Sequence, residues 1–507
     1  MKTIFKAFAT VSVVSIITRI CSFFFKIFLS RALGAEILGL YQIALSLLML
    51  FACFGSSGLP VTVSRLTAEY NTLNDKLAQR GIVTTSMLIS VMFSGVTITI
   101  FMAFPQLLDM LFADKRCTTL FVIMLPMLMT TSVYSIIRGW FWGTKDFFTF
   151  SATEFFDEIL KIIFAVILFC GAIPFVNKTY AYAYSMVIGD ILLVVGLVAY
   201  YFHKGERFAR PTHLGEIARS ATPLTITRIF GSLMSTFLSL SIPLFLVNKF
   251  GLTTAQATAE FGRASGMVMP LIFTPTSVIG SLSVVLIPEI ATLKKQKNSN
   301  SLSNKVNQTI KLGAIVSCFF IIIFFSCGQE ICEMLYKDSV AGKYLEVASI
   351  LMLPMCVNNV LISLLNSLGQ EKKTFASHII GCVVLFVVAI TTPKYIGIYA
   401  YFLSLVAFHS VVMVLNLFAL RKEIKLDKKS LVQNIVTCVA TATIALLAKL
   451  SNNFFANFLS PWYCIILTTL IGSITFVLFV TCAKILDLSF FSKMFSRKKR
   501  PSLCAEK

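Results

Sequence analysis

The sequence predicts an all-α polytopic membrane protein of about fourteen transmembrane helices, arranged as two pseudo-symmetric six-helix lobes followed by two C-terminal helices. Three observations carry that expectation. Hydrophobic residues make up 57% of the 507-residue chain and charged residues 13%, about half the charged share of a soluble domain, and the mean hydropathy is +0.84. Long apolar runs recur along the chain, each near the roughly 20 residues that cross about 30 Å of hydrocarbon. Finally, the order of short motifs repeats once from the first half to the second. Strands are excluded as spans, because a membrane barrel shows short alternating segments instead of continuous apolar runs.

The first apolar segment, about 7–30, runs on to full spanning length, so it reads as a retained helix and not a cleaved signal. The second, 38–64, is loosened by Gly55, Ser56, Ser57 and Gly58 just before Pro60. Segments three and four fall at 81–104 and 117–137, the fourth containing Met124-Leu125-Pro126-Met127. Segment five, 152–173, opens on a polar stripe, and segment six, 180–203, holds Asp190 beside Gly189. Segment seven, 220–248, contains Pro223 and Pro243, and segment eight, 264–290, contains Pro270, Pro275 and Pro288. Segments nine to twelve follow at 307–328, 344–368, 374–393 and 396–420, and two extra segments at 431–449 and 462–487. Prolines inside apolar runs provide hinge points and free carbonyls that can face a cavity.

The repeat fixes the architecture independently of any one motif. Met124-Leu125-Pro126-Met127 returns as Met352-Leu353-Pro354-Met355, and Pro60 returns as Pro288, both at an offset of 228 residues. Ile17-Thr18-Arg19-Ile20 returns as Ile226-Thr227-Arg228-Ile229 at an offset of 209, so the second copy carries about nineteen extra residues, placed in the polar stretch 248–265. The matching helices are the first and the seventh, an even step of six along the chain, which gives both copies the same orientation. The expected domains are residues 1–210 for the N-terminal lobe, 211–425 for the C-terminal lobe, 426–490 for the last two helices and 491–507 for a basic tail.

A net charge of +21 raises the possibility of nucleic acid, but the basic residues lie between apolar runs and not on one soluble face. With the N-terminus inside, the inner loops and tail carry 26 Lys and Arg against ten on the outer loops, the positive-inside pattern of a protein with both termini cytoplasmic. The thirteen Cys are scattered without metal spacing and read as small buried hydrophobes. With no phosphate-cradling glycine loop, no His-Glu-x-x-His and no loop long enough for a soluble catalytic domain, the chain is expected not to be an enzyme and to hold neither cofactor nor metal.

The residues that could carry chemistry are charges inside spans. Arg19 and Lys26 lie seven apart, on about the same helix face, and each cation in hydrocarbon costs roughly 3 kcal/mol on insertion scales. That face is therefore expected to line a cavity, with snorkelling to an interface as the alternative. Arg228 is the counterpart of Arg19 in the second copy. Glu154, Asp157, Glu158 and Lys161 form one stripe at spacings of three and four. They are placed to pair with Arg138 or Lys145, as an ion-pair network at an inner gate or as an ion-coupling site. Asp190 is an isolated acid, either a proton or sodium site or a satisfied structural group, and Arg65 is a further gate candidate. Asn358, Asn359, His378 and His409 are expected to bond helix to helix.

The segment from Thr18 to Tyr70, with Ser30-Arg31-Ala32-Leu33-Gly34-Ala35, Gly39-Leu40-Tyr41-Gln42 and Gly58-Leu59-Pro60, resembles the stage V sporulation protein B and polysaccharide biosynthesis family. So do Arg138-Gly139-Trp140-Phe141-Trp142-Gly143, Glu158-Ile159-Leu160-Lys161, Phe261-Gly262-Arg263-Ala264-Ser265-Gly266-Met267 and Leu286-Ile287-Pro288-Glu289. The resemblance implies the fold of the multidrug, oligosaccharidyl-lipid and polysaccharide exporter superfamily (MOP/MATE-like), in a bacterial cell membrane. More distantly the chain is similar to lipid II flippases, in which cations of the first helix and its counterpart line the cavity; Arg19 falls on the matching position. Where those flippases carry a further arginine, this chain has Phe25 with Lys26 adjacent, and its second helix is uncharged from Tyr41 to Ser64.

The resemblance implies alternating-access transport of an undecaprenyl-diphosphate-linked saccharide, a lipid II-type peptidoglycan precursor, in spore-envelope formation. Arg19, Lys26 and Arg228 would hold the diphosphate. The expected partners are that lipid-linked oligosaccharide, membrane lipids and cell-wall synthesis enzymes, with no nucleic acid. The alternatives are an ion-coupled exporter of cationic drugs, for which Asp190 or Glu158 would be the coupling acid, and a scaffold without transport.

Overall fold

Apolar runs with no solvent for their peptide groups close their hydrogen bonds within helices, and helices account for nearly all regular structure in the computed structural model. It describes residues 2–169, 178–276, 279, 290, 294, 296, 299–424 and 427–483.

The chain begins with α1 (Lys2–Ser56), which merges two helices across a kink at Gly34, where φ 76° and ψ 171° suit only a residue without a Cβ. Helix α2 (Leu59–Thr72) has Pro60 in its first turn, a place where the missing N–H costs nothing. Asp75 caps α3 (Lys76–Ala103) by accepting from the Ala78 N–H. A short α4 (Gln106–Leu111) leads to α5 (Lys115–Met124) and α6 (Pro126–Gly143), which bend by 40° at Leu125. Then come α7 (Phe147–Phe169), α8 (Lys178–His203), α9 (Leu214–Phe250) and α10 (Thr254–Phe261). A π-helical turn at Gly262–Val268 continues α10. The second half holds α11 (Ser299–Tyr336), α12 (Ser339–Ala348), α13 (Met352–Ser367) and α14 (Glu371–Thr391). It ends with α15 (Pro393–Ile396), α16 (Tyr399–Glu423), α17 (Lys428–Phe455) and α18 (Pro461–Cys482).

Among the described residues ten helices are long and apolar enough to cross a membrane, or eleven counting the bent pair α5–α6. Three features account for the distance from fourteen expected segments. The first two segments are merged, Val13–Thr72 counting once; α7 is 23 residues long but carries Glu154, Asp157, Glu158 and Lys161; and much of the second half of the eighth segment, with Pro288 and the 286–289 motif, lies outside the described residues, as does the tail 491–507. The prolines act unequally. Pro60 and Pro126 begin new helices, whereas Pro223 and Pro243 lie inside an uninterrupted α9.

The extra polar stretch of the second copy is helical. Thr253 and Gln256 form a reciprocal capping box at the start of α10, and the helix lies flush on α1: a Cβ at Gly39 would stand 2.1 Å from the Thr258 carbonyl oxygen. Only glycine admits two backbones that close.

The chain packs into two compact units. One comprises Met1–Leu271, Leu335–Lys337 and Phe375–Phe408; the other comprises Ile272–Met334, Asp338–Thr374 and His409–Lys507. In the first unit, Leu66, Ile82, Phe141, Tyr201 and Ile217 form a fully buried core where α2, α3, α6, α8 and α9 meet. In the second, Leu361, Leu365, Val306 and Leu420 join α11, α13 and α16. There a buried Asn416 donates to Asn358 across helices at 2.9 Å, and losing either partner would leave a buried amide unpaired.

Candidate functional site

Helix α1 buries one stripe and leaves its cations off it. Thr18, Phe25 and Leu29 are buried, at spacings of seven and four that keep them on one face, while Arg19 and Lys26 are exposed. Phe25 packs edge-on against Tyr182 of α8 at 5.9 Å, and Tyr182 against Tyr41 at 4.9 Å. Tyr41 is fixed in turn, donating to the Thr179 carbonyl at 2.9 Å and accepting from the Ala183 N–H at 2.8 Å. Position 25 is thus a packing position, and Lys26 presents its charge from the adjacent exposed face. Among the described residues neither Arg19 nor Lys26 has an acidic partner.

Arg228 lies on α9 and is tied to a helix break. Pro60 has no N–H to offer the Ser56 carbonyl, and the chain bends at Ser57 and Gly58. Arg228 Nη1 donates to the Ser57 carbonyl at 2.8 Å. The two helices are closest beside it, since a Cβ at Gly58 would stand 2.4 Å from both the Ala221 carbonyl oxygen and Thr225 Oγ1. One turn on, Thr62 Oγ1 donates to Ser220 Oγ at 3.3 Å. The described contacts do not join Arg228 to Arg19 or Lys26.

The polar stripe of α7 is divided between two sets of partners. Arg138 donates to Glu154 Oε2 at 2.6 Å and to the Phe150 carbonyl at 3.3 Å, with its guanidinium 4.1 Å from the centre of the Phe150 ring. Lys161 pairs with Asp157 at 2.9 Å and with Asp190 of α8 at 2.9 Å. Gly189 makes room for it: a Cβ there would lie 3.2 Å from Lys161 Cγ. Asp190, isolated in the sequence, is therefore one of two carboxylates sharing a lysine. Glu158 is half-buried and Arg65 exposed, and among the described residues neither has an ion-pair partner.

Several polar groups near these had no signature in the sequence. Arg80 pairs with Glu206 at 2.8 Å and Lys204 with Asp146 at 3.2 Å, staples that hold the α8–α9 connection against α3 and the α6–α7 turn. In the second unit Lys449 pairs with Glu346, and Asn452 donates to Glu330 Oε1 at 2.6 Å. Outside the spans, burial pushes the Asp114 carboxyl up, but hydrogen bonds from Arg116 outweigh it and hold the group below the usual carboxylate range. The Lys204 ammonium is held above its ordinary value, chiefly by its hydrogen bond to Asp146.

Ten helices of membrane length among the described residues define a multi-pass membrane protein. The chain belongs to the polysaccharide biosynthesis protein family, whose profile matches residues 4–294. Among its relatives, stage V sporulation protein B of Bacillus subtilis (strain 168) is 24% identical over 431 residues, 82% of each chain. The lipid II flippase MurJ of the same organism is 22% identical over 422 residues, 75% of each chain. A solved structure of the lipid II flippase MurJ in an inward closed conformation shares the fold, with TM-score 0.73, 12% identity, and coverage of 96% of this chain and 99% of that one.

Proposed function

We propose that the protein moves an undecaprenyl-diphosphate-linked saccharide, a lipid II-type peptidoglycan precursor, to the outer face of a bacterial cell membrane by alternating access during spore cortex and envelope formation. The observation that carries this reading is the pair Arg19 and Lys26, two cations on the exposed face of a spanning helix with no acidic partner among the described residues. A charge in that position is costly unless an anion meets it, and a diphosphate suits the forked donors of arginine. Relatedness to stage V sporulation protein B and to a lipid II flippase supports the substrate class.

In this reading residues 1–210 and 211–425 are the two lobes, 426–490 the accessory helices, 491–507 an inner basic tail, and both termini are cytoplasmic. Arg19, Lys26 and Arg228 bind the diphosphate. Arg65, Arg138, Glu154 and Glu158 belong to the inner gate, and Asp157, Lys161 and Asp190 hold α7 against α8 beside it. A dianion moving outward gains about 4 to 5 kcal/mol per 100 mV of inside-negative potential. The partners are the lipid-linked saccharide, membrane lipids and cell-wall synthesis enzymes.

The test is a reconstituted flipping assay with lipid II. The Arg19→Ala, Arg228→Ala double variant loses flipping; normal flipping by that variant overturns the reading.

A further inference from the structure

Arg228 is the only one of the three proposed diphosphate ligands that the described contacts show already engaged, and its partner is a backbone carbonyl at a helix break. The surroundings are those of a hinge. Pro60 leaves the Ser56 carbonyl without its helical donor, the chain bends at Ser57 and Gly58, and α2 resumes at Leu59. At the break the chain meets α9 through small residues, Gly58 flush on Ala221 and Thr225 and Thr62 bonded to Ser220, and through the single charge-assisted bond from Arg228 to Ser57. Beyond the break Leu59, Val63 and Leu66 are buried in one core with Ile217 and Ala221, so that core keeps α2 on α9, while at the break itself the contact consists of Gly58 and the Arg228 bond.

We propose that the Ser57 carbonyl is a resting partner for Arg228, and that a lipid diphosphate displaces it, releasing the α2–α9 contact at the Ser57–Gly58 break. The inference rests on the diphosphate reading and deepens it, making one substrate ligand the trigger of the hinge. A phosphate dianion is a much stronger acceptor for a guanidinium than a neutral carbonyl is. A bidentate grip turns the guanidinium plane toward the phosphate and draws Nη1 off Ser57. A ligand shifts a conformational equilibrium only through differential contacts with the two states. Here the contact differs in each: carbonyl when empty, phosphate when loaded.

The experiment is hydrogen–deuterium exchange of the full chain in lipid nanodiscs, alone and with undecaprenyl diphosphate or undecaprenol, with binding of each lipid measured on the same samples. Exchange across residues 55–63 rises about tenfold or more with the diphosphate and is unchanged by undecaprenol. In Arg228→Ala it is already fast without lipid and does not rise further. Pro60→Ala, which returns a donor to the Ser56 carbonyl, slows exchange at the break and shrinks the response. If undecaprenyl diphosphate binds in an Arg228-dependent way but exchange across 55–63 stays the same or slows, the latch is wrong and the diphosphate site stands. If the diphosphate binds no better than undecaprenol, the site itself fails and the latch with it.

Discussion

Lys161 and Arg19 are both cations set within apolar helices, and the protein treats them in opposite ways. Lys161 sits between Asp157 and Asp190 at 2.9 Å from each, over a glycine that makes room for its stem. Arg19 is exposed, beside a buried Thr18, with no acid nearby among the described residues. The difference separates charge that holds a membrane protein together from charge kept for a ligand. A neutralised cluster stabilises helix packing; an unneutralised one is tolerated because an anion visits it. Arg228 stands between the two cases, with a neutral carbonyl as its partner.

The largest effect that tests this division is on stability. Lys161→Ala leaves two carboxylates facing each other in the α7–α8 contact, and removing one partner of a buried ion cluster costs roughly 3–5 kcal/mol. Thermal unfolding in detergent is expected to show the loss, and a Tm equal to the parent would place the cluster outside the scaffold. Arg19→Ala should do the reverse. Flipping of lipid II falls about ten- to hundredfold, the worth of one charge-assisted hydrogen bond, while stability changes by less than about 0.5 kcal/mol. A matching loss of Tm would make Arg19 structural.

Smaller effects sharpen the boundary. Gly58→Ala puts a methyl against the Ala221 carbonyl and costs about 1–3 kcal/mol of overpacking. Gly95→Ala, on α3 with no atom within 4 Å of its new methyl, is expected to stabilise by about 0.5–1 kcal/mol. Equal melting shifts for the two would remove the claim of close approach at Gly58.

The smallest effect is at the loop between α4 and α5. Asp114 has its pKa lowered in the folded protein, so its contribution is present above the ordinary value near 4 and is lost as pH falls through the lowered one. The Tm gap between the parent and Asp114→Asn should be constant from about pH 8 to 5 and close below about pH 4. A gap that persists in acid would assign the effect to packing.

Much of this was legible beforehand because the bilayer imposes its period on the sequence. Apolar runs, proline positions and the recurrence of Arg19 as Arg228 are all one-dimensional patterns. The Arg138–Glu154 pair was within reach for the same reason, since a stripe on α7 follows a basic residue just upstream. What was illegible involves partners without a pattern. Asp190 looked solitary because its lysine is on the neighbouring helix, and only the contact at Gly189 brings them together. Ser57 contributes a carbonyl, which every residue has, so nothing in its side chain announced a bond to Arg228. The stretch 248–265 reads in sequence as extra polar residues of the second copy, and nothing in that reading shows that Thr253 and Gln256 cap a helix that glycines seat against α1.

Binding decides the central claim, that cations without an acidic partner on α1 and α9 are kept for a phosphate. The measurement is the affinity of the purified chain for undecaprenyl diphosphate relative to undecaprenol, for the parent and for the Arg19→Ala, Arg228→Ala variant, with Tm recorded on the same samples. The account predicts a parental Tm and a preference for the diphosphate that falls about hundredfold or more in the variant. An undiminished preference in a well-folded variant would contradict it.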